Sequence, residues 1–471
     1  MQQRILGILA ALFFSLSFLS IETGCANIIP PQGGPRDSIA PVLLKVVPGD
    51  SSLGFNAKKI EFYFDEYIEV QDPFTNVLVS PLPSNSPVVE SRLRDLTVRL
   101  KDSLLPNTTY VIDFGNAIKD FTEGNIAKNL RYVFSTGNYI DSFEIKGQVL
   151  LAESGKTDST LIAILHIQGE DSAVAKTKPV YLSKLDKEGR FHFKNLPDKK
   201  FYLYALKDEG GSRRYTAESQ LFAFADSAIY TNNPPDSLKL YAFVAKPQEN
   251  ASFAPETPKA KEKPDTDRRL KYQTGLQNNQ QDLLENFKFI FESPLKRFDT
   301  TGIKLYTDST FTPVDSILFE KDSTQKSWQL ITRWKEGQSY HLVLQKGAAE
   351  DSLGKQWQKT DTLDFTTKRT TDYGRLKIRL RGLDMTRSPV LFFMQGDRIF
   401  KSIVLSDPII EDNLFPPGEY PIRILYDENK NGKWDTGQFF GKRKQPEKVQ
   451  PLEKKITVKS NWSNEYEIDI R

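Results

Sequence analysis

The run Ile60-Glu-Phe-Tyr-Phe64 puts Ile60, Phe62 and Phe64 on one face of an extended segment, because strand side chains alternate with a period of two. Side chains at this spacing cannot share one face of a helix, so the run reads as a strand with one apolar face to bury. The alternation continues at Val77 and Val79, at Leu96, Val98 and Leu100, at Tyr110, Ile112 and Phe114, and at Leu130, Tyr132 and Phe134. Pro, Asn and Gly separate these runs, as in an antiparallel sandwich of short strands. With 31 Phe and 18 Tyr against 3 Met, the composition also favours pleated, half-buried surfaces.

The same order of runs returns further along. Phe287-Lys-Phe-Ile-Phe291 matches the Ile60 run, Trp328 and Leu330 the Leu96 run, and Tyr340, Leu342 and Leu344 the Tyr110 run. Asp364-Phe-Thr-Thr367 then closes the unit as Val133-Phe-Ser-Thr136 closed the first, each after a polar loop at Asp120 to Asn125 or Asp351 to Lys355. A second kind of unit alternates with this one. Leu196-Pro197, Phe201 and Asp208 recur at the same intervals as Phe415-Pro416, Tyr420 and Asp427, and the opening runs are Phe143 to Val149 and Leu376 to Leu380. The chain reads as all-β, with tandem antiparallel β-sandwich modules in the order A-B-A′-B′. Expected boundaries are 38–138 for A, 139–245 for B, 276–369 for A′ and 370–471 for B′. Lys246 to Pro264 is rich in Lys, Glu, Pro and Ala, so 246–275 is expected to be a solvated linker.

Leu104-Leu-Pro-Asn-Thr-Thr-Tyr110 is similar to the approach to a tyrosine corner, and Trp334 to Tyr340 is a looser version of it. With their Asp/Gly loops and closing Phe-Ser-Thr or Phe-Thr-Thr, A and A′ resemble the bacterial Ig-like domain first described in surface-layer proteins. Asp186-Lys-Glu-Gly-Arg-Phe-His-Phe193, Leu196-Pro197 and Phe201 to Asp208 give B and B′ a resemblance to transthyretin-like, carboxypeptidase-regulatory-like sandwiches. The resemblances imply spacer or stabilising modules that bring no catalytic residues with them.

Cys25 is the only cysteine. An apolar run from Ile5 to Ile21 follows Arg4 and ends before Thr23-Gly24, the layout of a secretory signal over 1–24. The run is too short to favour a spanning helix. The segment resembles bacterial lipoprotein precursors, although Glu22 stands where an aliphatic residue is usual, and an ordinary signal peptide is the other reading. The resemblance implies a lipid-anchored Cys25, a tether over 25–37, and a membrane as partner. Ala26, with no acidic residue beside the cysteine, further implies the outer membrane, its periplasmic face favoured over the cell surface. The mature body cannot form an internal disulfide, so its stability is expected to come from sheet cores, with bound ions as an optional addition.

Asp427-Glu-Asn-Lys-Asn-Gly-Lys-Trp-Asp435 carries side-chain oxygens at loop positions one, three, five and nine, through Asp427, Asn429, Asn431 and Asp435. Gly432 stands at position six, and Lys433 at seven would add its backbone carbonyl. A short loop needs this spacing to turn its oxygens onto one calcium ion. Gln438 replaces the closing Glu at position twelve, so the expected affinity is roughly millimolar. The alternative is a bare tight turn at Asn431-Gly432.

His166, His192 and His341 stand apart on apparent strands without metal-ligand spacing, and no phosphate loop or nucleophile elbow is present, so the chain is read as non-enzymatic. Lys+Arg number 64 against Asp+Glu 61, which does not call for nucleic acid. Lys442-Arg-Lys444 is expected to be a solvated loop. The expected role is structural or adhesive, towards an envelope protein or glycan. The other reading is a carbohydrate-binding accessory lipoprotein of a nutrient-uptake system, with Trp328, Trp334 and Trp357 either stacking on sugars or filling the core. Asp37-Ser-Ile39, Asp102-Ser-Leu104, Asp226-Ser-Ala228, Asp236-Ser-Leu238, Asp315-Ser-Ile317 and Asp351-Ser-Leu353 share a triplet that resembles an acceptor of some bacterial O-glycosylation systems. Ordinary turn chemistry is the other reading of the same residues, and the one expected from sequence.

Overall fold

The structure, a computed structural model, describes residues 36–246, 268–307 and 310–470; Cys25 and the signal-like segment lie outside them. The chain divides into two compact units, one of the residues up to Phe143 with Asn195–Pro197, the other of Glu144–Lys194 and Asp198 onward.

In the first unit, Lys59–Phe64 buries Ile60, Phe62 and Phe64 and leaves the residues between them more accessible. It lies between Leu43–Val47 and Asp95–Arg99, and Val88–Arg92 completes a four-stranded antiparallel sheet. Leu78–Ser80, Thr109–Asp113 and Arg131–Ser135 form a second sheet. Phe62 meets Phe114 and Tyr132 edge-on, with ring centres 5.1 and 5.4 Å apart, a geometry that adds to simple area burial. Leu43–Val47 was not legible as a strand. It is an edge strand with no fully buried residue, so it shows no apolar period.

The tyrosine corner is present. Tyr110 Oη accepts the Leu105 N–H at 2.8 Å, while Thr136 Oγ1 donates to the Leu105 carbonyl at 2.7 Å and accepts the Thr108 N–H at 2.9 Å. Tyr110→Phe leaves the Leu105 N–H without its acceptor. We expect a cost of about 1–2 kcal/mol, read as a lower denaturant midpoint at unchanged slope.

The second unit repeats this pattern. Phe287–Phe291 lies between Tyr272–Thr274 and Ser327–Ile331, with Leu318–Lys321 outside. Tyr340 Oη accepts the Lys335 N–H at 3.2 Å, and Thr367 Oγ1 donates to the Lys335 carbonyl and accepts the Gln338 N–H. Asp351, buried like Asp120, gathers the N–H groups of Leu353 and Lys355 as Asp120 gathers those of Glu123, Gly124 and Asn125. The expected linker 246–275 reaches too far, because Leu270 is buried in this core and Tyr272 packs on it. Polar Lys271, Gln273 and Thr274 hid this short edge strand.

B and B′ share one strand order. In B, Arg190–Leu196, Phe143–Leu151 and Leu238–Ala242 form one sheet, while Tyr181–Lys184, Leu161–His166, Lys200–Lys207 and Phe222–Phe224 form the other. In B′ the sheets are Ile409–Phe415, Gly374–Arg381, Ser463–Asp469 and Arg398–Val404, Pro389–Gln395, Gly418–Tyr426, Lys448–Val458. These sheets are not antiparallel throughout. The opening strand of each module runs parallel to its closing strand, since the chain crosses to the other sheet between them and no hairpin sets their direction.

Candidate functional site

Gly418–Tyr426 and Lys448–Val458 pair with Tyr426 opposite Lys448, and residues 427–447 leave the sheet between them. Asp427 organises the first half of this loop. Its carboxylate is buried and accepts the N–H groups of Lys430 at 2.7 Å, Asn431 at 3.3 Å and Gly432 at 2.6 Å. Gly432 has φ +76°, where glycine meets no Cβ penalty. Asn429 Oδ1 accepts the Asn431 N–H at 3.1 Å, and Asn431 Oδ1 accepts the Lys433 N–H at 2.7 Å. Both amide Nδ2 atoms donate to Asp435 Oδ2. The structure therefore brings Asp427, Asn429, Asn431 and Asp435 together, and Lys433 joins them through its N–H.

Glu447 seals this half, and the nine-residue spacing does not reach it. It is buried, accepts the N–H groups of Glu428 and Asp435 at 2.9 Å each, and donates its own N–H to the Asp435 carbonyl at 3.1 Å. Burial raises its proton affinity, and the charges of Asp427 and Asp435 add to that, against the pull of the two N–H groups. Gln438, at the position expected to close the loop, exchanges backbone hydrogen bonds with Lys444 and donates its side chain to the Phe440 carbonyl. Among the described residues no group of three or more His, Cys, Asp and Glu is placed to hold a metal ion. Calcium here would draw on the Asn oxygens and the Lys433 carbonyl.

The second half of the loop docks on module B. Phe439 is buried among Tyr204, Tyr215, Phe222 and Phe224, with ring centres 5.7, 6.3, 4.9 and 5.2 Å away. Phe440 stacks on Tyr215 at 5.5 Å. Around them, Thr436 Oγ1 donates to the Val244 carbonyl at 2.6 Å, and Gln445 Nε2 donates to the Phe224 carbonyl at 3.1 Å and to Asp226 at 2.7 Å. Arg443 pairs with Asp171 and lies 5.1 Å from the Phe439 ring centre. The expected solvated loop at 442–444 is corrected at Arg443, because an acceptor and a ring on hand outweigh solvation of the guanidinium. Adjacent Phe439 and Phe440 were the available signal, since two aromatics in an otherwise polar loop need a surface to cover them.

The histidines stay separate. His192 pairs with Glu144 at 2.9 Å and His341 with Asp364 at 2.6 Å. His166 is buried, its Nε2 has no hydrogen-bond partner, and burial lowers its pKa to about 4. The sugar-stacking reading of A′ is corrected: Trp357 is buried in the core, with Trp328 and Trp334 packed on it. Trp357 lies in a ring cluster with Tyr272 and Phe289, whose ring centres are 5.6 and 6.2 Å away.

Residues 37–136 match the family model described as bacterial Ig-like domain. No curated protein matches the chain. Among solved structures, the Bacillus anthracis TIE protein is similar at 10% identity and TM-score 0.16, with 94% of this chain and 76% of that one covered. The major pilin subunit BcpA of Bacillus cereus is similar at 9% identity and TM-score 0.16, with 70% of this chain and 99% of that one covered. The S-layer protein SbsC is similar at 9% identity and TM-score 0.15, covering 88% of this chain and 67% of that one. At these scores none of the three carries an assignment.

Proposed function

We propose that the chain is a non-enzymatic, structural or adhesive protein of the cell envelope. A lipid at Cys25 holds it to the outer membrane, with its modules on the periplasmic face. One observation carries this reading: the loop richest in polar and charged chemistry spends its side chains closing on itself and locking B to B′. The bacterial Ig-like domain over 37–136 supports it as well. Fractionation of cells producing the full chain or Cys25→Ala is the test. We expect the wild type in outer membranes with acyl mass on Cys25 and the variant in the soluble fraction; a soluble wild type overturns the anchor.

Gathering of the Asp/Asn residues favours a second reading of the same loop, a weak calcium site formed by Asp427, Asn429, Asn431, Asp435 and the Lys433 carbonyl beside Glu447. Both Asn amides would have to turn their oxygens inward. Calcium at ten times its Kd is expected to add about 1.4 kcal/mol to the wild type and nothing to Asp435→Asn. Equal melting curves with calcium and with chelator reject the site.

A further inference from the structure

We propose that Ser38, Ser103, Ser227, Ser237, Ser316 and Ser352 are O-glycosylation sites, which rests on the reading that residues 1–24 export the chain. Each follows an Asp and precedes an aliphatic residue. All six are exposed and lie outside strands, and no hydrogen bond engages any of their hydroxyls.

Turn chemistry does not explain the recurrence. A carboxylate that shapes an Asp-Ser turn accepts the N–H two residues on. Asp37 does so with Ile39 and Asp351 with Leu353, each at 2.9 Å. At the other four triplets that bond is missing: Asp102 accepts from Asn85, Asp226 accepts from Gln445, and Asp236 and Asp315 make no local bond. What all six share is an exposed serine, outside any strand, in the same Asp-Ser-aliphatic local sequence, which a modifying enzyme can reach without unfolding the chain.

A seventh triplet supplies a control. Asp171-Ser172-Ala173 has the same pattern, yet Ser172 is only partly accessible, where the six serines are exposed, and stands at the start of the helical turn Ala173–Lys176. It should stay bare, as should B′, where none of the six triplets falls.

The donor is a lipid-linked glycosyl diphosphate. The serine Oγ attacks the anomeric carbon as the bond from that carbon to the phosphate oxygen breaks. The diphosphate leaves with the electron pair, and a base of the transferring enzyme takes the hydroxyl proton.

Full-length chain purified from its own cells and mapped by peptide fragmentation tests this. We expect sugar mass on the six serines, none on Ser172, and none in 370–471. Asp315→Ala should abolish the addition at Ser316 with Tm unchanged. Bare serines on a chain whose signal has been removed overturn the proposal, as does phosphate in place of sugar, or sugar on Ser172 at the level of the six. If residues 1–24 remain attached, the export reading fails separately. The chain is then mapped behind an established secretion signal, where sugar on the six serines supports the proposal and bare serines overturn it.

Discussion

Phe439→Ala is expected to cost about 3–5 kcal/mol and to split the unfolding of B from that of B′. The ring is 1% exposed, and its neighbours Tyr204, Tyr215, Phe222 and Phe224 all belong to B. Truncation removes apolar contact and leaves a cavity. That cavity cannot close readily, because Thr436 on one side and Arg443 and Gln445 on the other pin the loop to B. Phe440→Ala should cost less, about 1 kcal/mol, since this ring is only partly buried and stacks on Tyr215 alone among the rings of B. Denaturant titration of the full chain checks both variants. A loss below about 1 kcal/mol for Phe439→Ala would show that the loop rests on B without holding it.

Mild acid should destabilise module B by about 3 kcal/mol between pH 6.5 and 4, through His166. Burial lowers its folded pKa to about 4, from an ordinary value of 6.5. The folded state thus binds fewer protons than the unfolded chain. The stabilisation is fully present above pH 6.5 and is lost as pH falls through the folded value. No acceptor faces Nε2 to stabilise a proton there, and Nδ1 has only Thr177 Oγ1 at 3.4 Å. His166→Leu removes both the titration and an unsatisfied nitrogen, so its stability should match or exceed the wild type at pH 7 and fall less in acid. The difference between the two pH profiles isolates His166 from carboxylates that titrate in the same range. Identical slopes would contradict the assignment.

Sequence periodicity revealed the faces of strands but not their partners. Ile60, Phe62 and Phe64 are buried because a period of two survives wherever one face of a strand is covered. Leu43–Val47 and Tyr272–Thr274 escaped notice because edge strands need no such pattern. The parallel pairing in B and B′ was hidden for another reason: strand direction follows the crossover, which leaves no local mark. At the site, Asp427, Asn429, Asn431 and Asp435 lie within one local turn, so their proximity follows from spacing alone. Glu447 lay beyond it, returned to Asp427 only by the pairing of Tyr426 with Lys448. The aromatic pair Phe439-Phe440 signals a covered surface, but which surface it is, and the partner of Arg443, are opaque, because Phe222 and Asp171 are distant in sequence and meet them only in the folded unit.

The central claim is that residues 427–447 form a built lock between two modules. Hydrogen exchange at the amides of Gln438 and Lys444 tests it most directly, since each donates to the other's carbonyl at 2.8 Å in a stretch that would otherwise be an open loop. We expect both amides to be protected about as strongly as the strand Phe222–Phe224 in the wild type, and to exchange much faster in Phe439→Ala. Exchange in the wild type at the rate of an unstructured loop would contradict the account.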